Sequence, residues 1–228
     1  MILSSHQPNF LPYMGFFYKA YKSDAMVISD DVLFSKKGMH NWNKIKTPNG
    51  AMKITLPVHA HHDSRLRDVA ITDAEYNIAQ ICKTILQNYG KAPHHLEGGM
   101  VIKQMQDLAK MNLDLASYNT ELNRFLFRQF GIDTELYNAS EDFELHGRKD
   151  ERILQMCDEL GADTYLSGTG AAAYHRPELF DEKDVRLEYS DFSPEPYHQL
   201  YGNFIPNLSV IDYIFNQGFE LPREWRER

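Results

Sequence analysis

The sequence predicts an α/β protein with a parallel or mixed central sheet flanked by helices. Three observations lead to this class. Apolar strands alternate with segments of helical spacing near the amino terminus, the same alternation returns in the last third, and an Asn-Gly turn between them marks a β-hairpin. The chain has 228 residues, of which 43% are hydrophobic. It is therefore long enough to bury a full core, and we predict one domain over residues 1–228.

The first part of the chain predicts a strand–helix–strand unit. Residues 1–5 are apolar and soon reach Pro8, as expected of a buried strand that ends in a turn. Residues 11–21 place apolar side chains at helical spacing, and residues 25–29 form a second apolar run. Two strands joined by a helix favour a right-handed crossover and hence a parallel sheet.

The middle of the chain predicts a hairpin and a helical layer. Asn49-Gly50 separates strand 44–46 from strand 52–56, and this dipeptide favours the tight turn of a β-hairpin. Helical periodicity follows, so we predict an inserted helical layer over about residues 72–130. Its three helices are predicted at residues 72–89, 100–111 and 113–130.

The last third alternates strands and helices again, which extends the parallel sheet. The predicted elements are strand 134–138, helix 148–160, strand 164–167, helix 171–180, strand 185–189 and a closing helix at 212–217. Gly161 follows the first of these helices, as is common at helix carboxyl ends.

Charge and hydropathy narrow the function classes. The net charge is −8 and the pI is near 5.7, which disfavours a nucleic-acid or anionic-membrane binder because phosphate backbones are bound by clustered Lys and Arg. The net charge does not exclude a single small phosphorylated ligand that is bound in a local basic pocket. No apolar run approaches the roughly 20 residues of a spanning helix, and no signal peptide is recognised. We therefore expect a cytoplasmic protein without a transmembrane segment, and we predict that Cys82 and Cys157 are buried thiols.

The first candidate site follows the first strand. His6, Gln7 and Asn9 lie where ligands bind in open parallel sheets, at the carboxyl ends of strands. His6 would serve as a proton donor or anion contact, and the two amides would bind amides or hydroxyls. The alternative is a turn, fixed by proline, whose polar side chains satisfy buried backbone groups.

The second candidate site is Ser167-Gly168-Thr169-Gly170, between a strand and an alanine-rich segment that contains Tyr174. Glycines beside small hydroxyl residues bring backbone N–H groups close to a phosphate or carboxylate. The segment matches neither the Walker loop nor the dinucleotide-binding pattern, since Ala173 occupies the third glycine position. A tight strand–helix turn is the alternative. Ser167, Gly168, Gly170 and Tyr174 are the predicted substrate contacts here.

The third candidate site combines acids, amides and lysines after the second strand. Asp30 and Asp31 are candidates for a general base, since paired acids at a strand end do such work. The predicted substrate contacts are Lys36, Asn41, Asn43 and Lys46. The alternative is a solvated loop in which Asp31 caps a turn. We expect the segments around His6, Asp30 and Ser167 to converge on one pocket at the carboxyl edge of the sheet.

A fourth candidate segment lies near the carboxyl terminus. Polar residues alternate there with apolar ones, which predicts a lid over the pocket, with His198 as a second acid–base candidate and Asn207 and Asp212 as hydroxyl contacts. The alternative is that Asn207 and Ser209 cap the last helix. No metal site is predicted, because the spacing of His59, His61 and His62 fits no zinc framework.

Several of these segments together resemble the WbqC-like family over nearly the whole chain. The residues that carry the resemblance are His6-Gln7-Pro8-Asn9-Phe10-Leu11-Pro12 with Gly15, Ser29-Asp30-Asp31-Val32, Ile45-Lys46-Thr47-Pro48-Asn49-Gly50, residues 161–168 and residues 204–212. The family usually shows paired glycines where this chain has Ala171 and Ala172. That departure weighs against a large phosphate-cradling role for this loop.

The resemblance implies an enzyme of bacterial surface-polysaccharide synthesis, such as O-antigen synthesis. It would be a transferase that places a small group, glycine being the one suggested, on a nucleotide sugar or a lipid-linked sugar. Two alternatives are an accessory protein that binds nucleotides or sugars, and a nucleotidyltransferase that uses ATP with magnesium. The first turn is also similar to that of class I synthetases and nucleotidylyltransferases, although Phe16 stands where those folds have a second histidine.

Overall fold

The computed structural model describes residues 1–226, in which nine strands and nine α-helices are assigned. The strands are β1 (Ile2–His6), β2 (Ala25–Ile28), β3 (Trp42–Thr47), β4 (Gly50–Thr55), β5 (Val58–His59), β6 (Ala70–Ile71), β7 (Glu135–Asn138), β8 (Thr164–Ser167) and β9 (Arg186–Tyr189). The helices are α1 (Met14–Tyr21), α2 (Ala74–Tyr89), α3 (His95–Ala109), α4 (Leu115–Phe130), α5 (Ala139–Asp142), α6 (Asp150–Leu160), α7 (Pro177–Asp181), α8 (Val210–Gln217) and α9 (Arg223–Arg226). Two 3-10 helices span Leu66–Asp68 and Thr169–Tyr174.

The central sheet has five strands in the order β7-β2-β1-β8-β9, and every neighbouring pair is parallel. The predicted α/β class is confirmed, and the sheet is parallel rather than mixed. Counted along the chain, the strand order is 3-2-1-4-5, which matches the first five strands of the doubly wound order 3-2-1-4-5-6. The order reverses between β1 and β8, where Ser4 pairs with Leu166. Ligands bind at such a switch point, outside the carboxyl ends of the strands.

Both faces of the sheet are covered by apolar side chains. Because successive side chains of a strand point to opposite faces, Ala25 and Val27 of β2 pack with α6, whereas Met26 and Ile28 pack with α1, α4 and α8. Burial on both faces explains why these strands read as continuous apolar runs.

Between β2 and β7 the chain leaves the sheet and forms the hairpin and the helical layer that the sequence predicts. Strands β3 and β4 pair antiparallel around the turn that ends at Gly50, whose φ is +96°. Helix α3 starts five residues earlier than predicted. Two glycines weaken the helical signal there, but Gly98 has a packing role, since a Cβ on it would lie 2.3 Å from the ring of Phe215.

The predicted single helix at residues 171–180 is wrong. A 3-10 helix ends at Tyr174, His175 and Arg176 are extended, and α7 begins only at Pro177. The proline explains the break, because its ring disfavours helical backbone at the preceding residue. The closing helix α8 begins at Val210, two residues earlier than predicted, and the Ser209 hydroxyl accepts a hydrogen bond from the Ile211 N–H.

Cys82 and Cys157 are both buried and free, as predicted, and burial raises the pKa of each thiol to about 12. Within the part of the chain that the structure describes, no helix combines the length and apolar character needed to cross a membrane.

Candidate functional site

His6, the last residue of β1, is the first side chain of the candidate site. Its ring is half-buried, meets the ring of Phe16 edge-on at 5.0 Å, and donates from Nδ1 to the Gln7 carbonyl at 2.8 Å. Burial, assisted by the positive charge of Lys19, lowers the pKa of His6 to about 3. The imidazole is therefore neutral near pH 7 and keeps Nε2 as an acceptor. A lowered pKa favours a neutral hydrogen-bonding group over the proton-donor role considered for His6.

Three buried asparagines fix the segment that follows His6. Their side-chain amides donate to four consecutive carbonyls: Asn119 to Pro8 at 3.0 Å, Asn123 to Asn9 at 3.2 Å, and Asn43 to Phe10 at 3.2 Å and to Leu11 at 2.7 Å. Asn119 also donates to the His40 carbonyl at 2.7 Å. The segment needs this support, because Leu11 has a φ of +45°, a conformation that is costly for a residue with a bulky side chain.

Lys19 brings a positive charge to the same end of the sheet. Its side chain is buried in α1, and Nζ donates to the Ser5 carbonyl at 2.7 Å. Burial lowers the pKa of Lys19 to about 8. The ammonium is thus charged at neutral pH in a poorly hydrated position, where its attraction for an anion is stronger than at the surface.

On the other side of the switch point, Ser167 begins a chain of hydrogen bonds. Its Oγ lies 2.8 Å from Nε2 of His175, and Nδ1 of His175 lies 2.7 Å from Oδ1 of Asp150. A carboxylate only accepts, so Nδ1 carries a proton, and in the neutral imidazole Nε2 is then the ring atom that accepts from Ser167. These are the contacts and the tautomer of a serine–histidine–aspartate triad.

The imidazole of His175 is held rigidly. The rings of Tyr165, Phe180 and Tyr189 surround it at centroid distances of 6.1, 5.7 and 6.1 Å. The second oxygen of Asp150 accepts from the Arg176 N–H at 2.9 Å, so both carboxylate oxygens are bonded. The side chains of His175 and Asp150 are 6% and 2% exposed, which shields their hydrogen bond from water.

A cleft of about 470 Å³ joins these groups at the carboxyl ends of β1 and β8. It is lined by Ser5, His6, Gln7, Tyr13, Lys19, Ser29, Val32, Ile153, Tyr165, Ser167, Gly168, Thr169, Gly170, Ala171 and His175. A Cβ built on Gly168 or Gly170 would meet no atom within 4 Å. The two glycines therefore leave open space beside Ser167.

The acidic pair after β2 does not line this cleft. Asp30 accepts hydrogen bonds from the N–H and the hydroxyl of Ser140, and burial raises the pKa of its carboxyl. Asp31 accepts from Arg152 at 2.6 Å. Both acids thus hold β2 to the segment around α5 and α6. The three segments do converge, since Ser29 and Val32, which flank the acidic pair, line the cleft with His6 and Ser167; Asp30 and Asp31 themselves are not part of its lining.

Four more residues that were predicted to contact substrate lie outside the cleft. Asn41 donates to the Leu56 carbonyl at 2.9 Å, and Asn43 is fully buried beneath the first loop. The side chain of Lys36 is exposed, and Asn9 is buried with its carbonyl bound by Asn123. The lining of the cleft includes none of these four residues, which were expected to contact substrate.

The carboxyl-terminal segment forms a separate buried network. Asp212 is 0% exposed and accepts from Tyr89 at 2.8 Å, Tyr197 at 2.7 Å and Gln199 at 2.7 Å. Burial raises the pKa of Asp212. Lys46 donates to the Gln199 side chain at 3.1 Å and to the Asn203 carbonyl at 2.5 Å. With its oxygens occupied, Asp212 has no access to a ligand in this conformation.

The expected lid is therefore not positioned over the cleft. His198 is exposed, and Asn207 lines a smaller cavity of about 40 Å³ beside Phe192 and Trp225. Tyr174 is 68% exposed with the Lys149 ammonium 5.9 Å from its ring, and it is not part of the lining of the cleft.

Gly15, part of the first turn that is similar to that of class I synthetases, has a packing role in this structure. A Cβ on Gly15 would lie 2.3 Å from the ring of Tyr13 and 2.8 Å from that of Phe192. This glycine is thus explained by contact with two aromatic side chains, so it requires no bound phosphate.

Sequence reasoning missed three residues of the site: Lys19, Asp150 and His175. Pro177 was a signal for His175, since it marks the end of the 3-10 segment and places the histidine in an extended turn. Neither Lys19 nor Asp150 had such a signal, because each lies in an ordinary amphipathic helix.

Fold and site together define a doubly wound α/β protein with a polar cleft at its topological switch point. The model of the WbqC-like protein family matches residues 7–224, and the chain belongs to that family. It is 32% identical over 219 residues to the uncharacterized protein Rv1507c of Mycobacterium tuberculosis, an alignment that covers 95% of this chain and 94% of the relative.

Proposed function

We propose that the protein is a transferase that places a small acyl group, glycine being the leading candidate, on a nucleotide-sugar precursor of a bacterial surface polysaccharide. One observation carries the proposal: the cleft at the switch point combines a buried cation, Lys19, with the bonded pair Ser167 and His175. The ammonium group of Lys19 suits the binding of a phosphate, and the hydrogen-bonded pair of Ser167 and His175 suits group transfer.

The dimensions of the cleft support a small-molecule substrate. A volume of about 470 Å³ lies within the range of pockets that hold compounds of nucleotide size. The protein carries a net charge of −8, so a phosphorylated ligand needs a local positive charge, and Lys19 supplies one below pH 8. Neutral His6 and the Gln7 amide suit the hydroxyl groups of a sugar.

A transfer assay tests the proposal. The purified protein is incubated with radiolabelled glycine, ATP and magnesium, and with UDP-linked amino and neutral sugars, and the products are resolved by mass spectrometry. Glycyl thioesters replace glycine and ATP in a parallel set. The proposal expects a glycylated nucleotide sugar in at least one set, and less of it with Lys19→Met.

Two results speak against the proposal. Saturable binding of a nucleotide sugar without turnover in any set would favour an accessory binding protein. Release of pyrophosphate with a nucleotidylated product would favour a nucleotidyltransferase. Lys44→Met, which changes an exposed lysine of β3, is the matched control for the loss of a positive charge.

A further inference from the structure

We propose that Ser167 is a catalytic nucleophile that carries the transferred acyl group as an ester, with His175 as its general base and Asp150 as the positioning residue. This inference deepens the proposed function, on which its choice of acyl group rests. The arrangement itself follows from distances alone, 2.8 Å from Ser167 to His175 and 2.7 Å from His175 to Asp150.

The local structure gives each group its role. Ser167 is the last residue of β8 and lines the cleft, although only 3% of the residue is exposed and its Oγ also lies 3.3 Å from the Gly168 carbonyl. His175 lines the same cleft, while Asp150 lies behind it at the start of α6. The carboxylate sits in the first turn of a helix of 11 residues, where the helix dipole stabilises negative charge. It can thus stabilise the imidazolium that forms when His175 takes the serine proton.

The reaction balances in two steps. Ser167 Oγ bonds to the carbonyl carbon of an activated acyl donor, its proton passes to His175 Nε2, and the donor's bond from acyl carbon to leaving group breaks. The leaving group takes the electron pair and the proton from His175. An acceptor amine or hydroxyl then attacks the ester, gives its proton to His175, and the proton returns to Ser167 Oγ as the ester bond breaks.

A purely structural role is the competing explanation. The same hydrogen bonds tie α6, β8 and the turn before α7 together, and such ties occur without catalysis. The two explanations differ in one property that is measurable without the natural substrate: only a nucleophile forms a covalent acyl adduct.

The test uses p-nitrophenyl acetate as the acyl donor. We expect a burst of p-nitrophenolate in wild-type protein, a mass increase of one acetyl group in the intact protein, and peptide mapping that places the acetyl group on Ser167. Ser167→Ala should abolish the adduct. Asp150→Asn should slow acylation on the order of 10⁴-fold and alter its pH profile, because the ring then loses the required tautomer. Ser190→Ala, which removes a buried hydroxyl outside the cleft, should acylate normally.

Melting temperatures of all variants separate unfolding from lost chemistry, and the adduct on wild-type protein needs no variant at all. The absence of an acetyl group on Ser167, whether or not surface lysines are acetylated, would overturn the inference. Acylation of Ser167 with no nucleotide-sugar binding would instead leave the inference standing and contradict the proposed function.

Discussion

The hydroxyl of Ser5 on β1 lies 2.7 Å from the hydroxyl of Tyr165 on β8. These are the two strands between which the order of the sheet reverses, so a side-chain hydrogen bond joins them across the switch point. The ring of Tyr165 also meets His175 at 6.1 Å and stacks on Phe180 at 6.0 Å. Tyr165 therefore links the first strand to the histidine of the triad.

Tyr165→Phe separates the two roles of this side chain. The variant keeps the ring that packs against His175 but loses the hydrogen bond to Ser5, and we expect the free energy of unfolding to fall by about 1 kcal/mol. Denaturant unfolding measures the change. Tyr137→Phe is the control, since it loses a hydrogen bond between exposed groups, that to Glu135, and should change little. An equal loss in both variants would refute a special role for the Tyr165 hydroxyl.

The three asparagines that fix the segment after β1 give the second prediction. Asn119→Ala leaves the buried carbonyls of Pro8 and His40 without their donor, so we expect a loss of about 2 to 3 kcal/mol in the free energy of unfolding. Asn88→Ala, which removes a bond within α2 to the Thr84 carbonyl, should cost well under half of that. Equal costs would mean that these carbonyls find water when Asn119 is removed.

The parallel sheet was predictable from the sequence because its strands are short apolar runs separated by helical segments. The order of the strands was not, since no local pattern of β8 indicates that it pairs with β1 rather than with β7. The site was predictable where it follows strand ends, as at His6 and Ser167. It was not where side chains come together from distant helices, as with Asp150.

The roles of the asparagines and acidic residues could not be predicted from the sequence either. Asn43 and Asp30 are residue types that serve equally as ligand contacts and as partners of buried backbone groups. Only the fold shows that Asn43 binds the carbonyls of Phe10 and Leu11, and that Asp30 binds Ser140. Spacing alone carries no information that would separate these two uses.

The pH dependence of anion binding follows from Lys19. Its pKa is about 8 rather than that of an ordinary lysine, so its charge is present below pH 8 and is lost as the pH rises through that value. We expect the affinity for UDP, measured by calorimetry, to fall between pH 7 and pH 9, by about tenfold or less. Lys19→Met should bind UDP weakly at both pH values. A wild-type affinity that stays constant to pH 9 would exclude Lys19 as the anion contact.

The buried network around Asp212 is expected to serve stability alone. Asp212→Asn places an amide N–H opposite the donors of Tyr197 and Gln199, so the melting temperature should fall while the affinity for nucleotide sugars stays unchanged. His198→Gln changes an exposed side chain and should alter neither quantity. A reduced affinity in Asp212→Asn at a temperature where the protein is fully folded would restore the lid hypothesis.

If the cleft between the ends of β1 and β8 is the functional site, filling it with a larger side chain should abolish ligand binding. Gly168 has a φ of −76° and a ψ of 146°, values open to any residue, and a Cβ there meets open space, so Gly168→Leu should fold and occupy the cleft. Gly99→Leu, also directed into open space but on α3, is the matched control.

The measurement is the ligand-induced shift in melting temperature with UDP-glucose, UDP, ATP and glycine, each with and without magnesium, since a ligand bound only by the folded state raises this temperature. We expect at least one compound to raise the melting temperature of wild-type protein and of Gly99→Leu, and that shift to disappear in Gly168→Leu. A shift that persists in Gly168→Leu, or no shift in wild-type protein with any of these compounds, would contradict the assignment of the cleft.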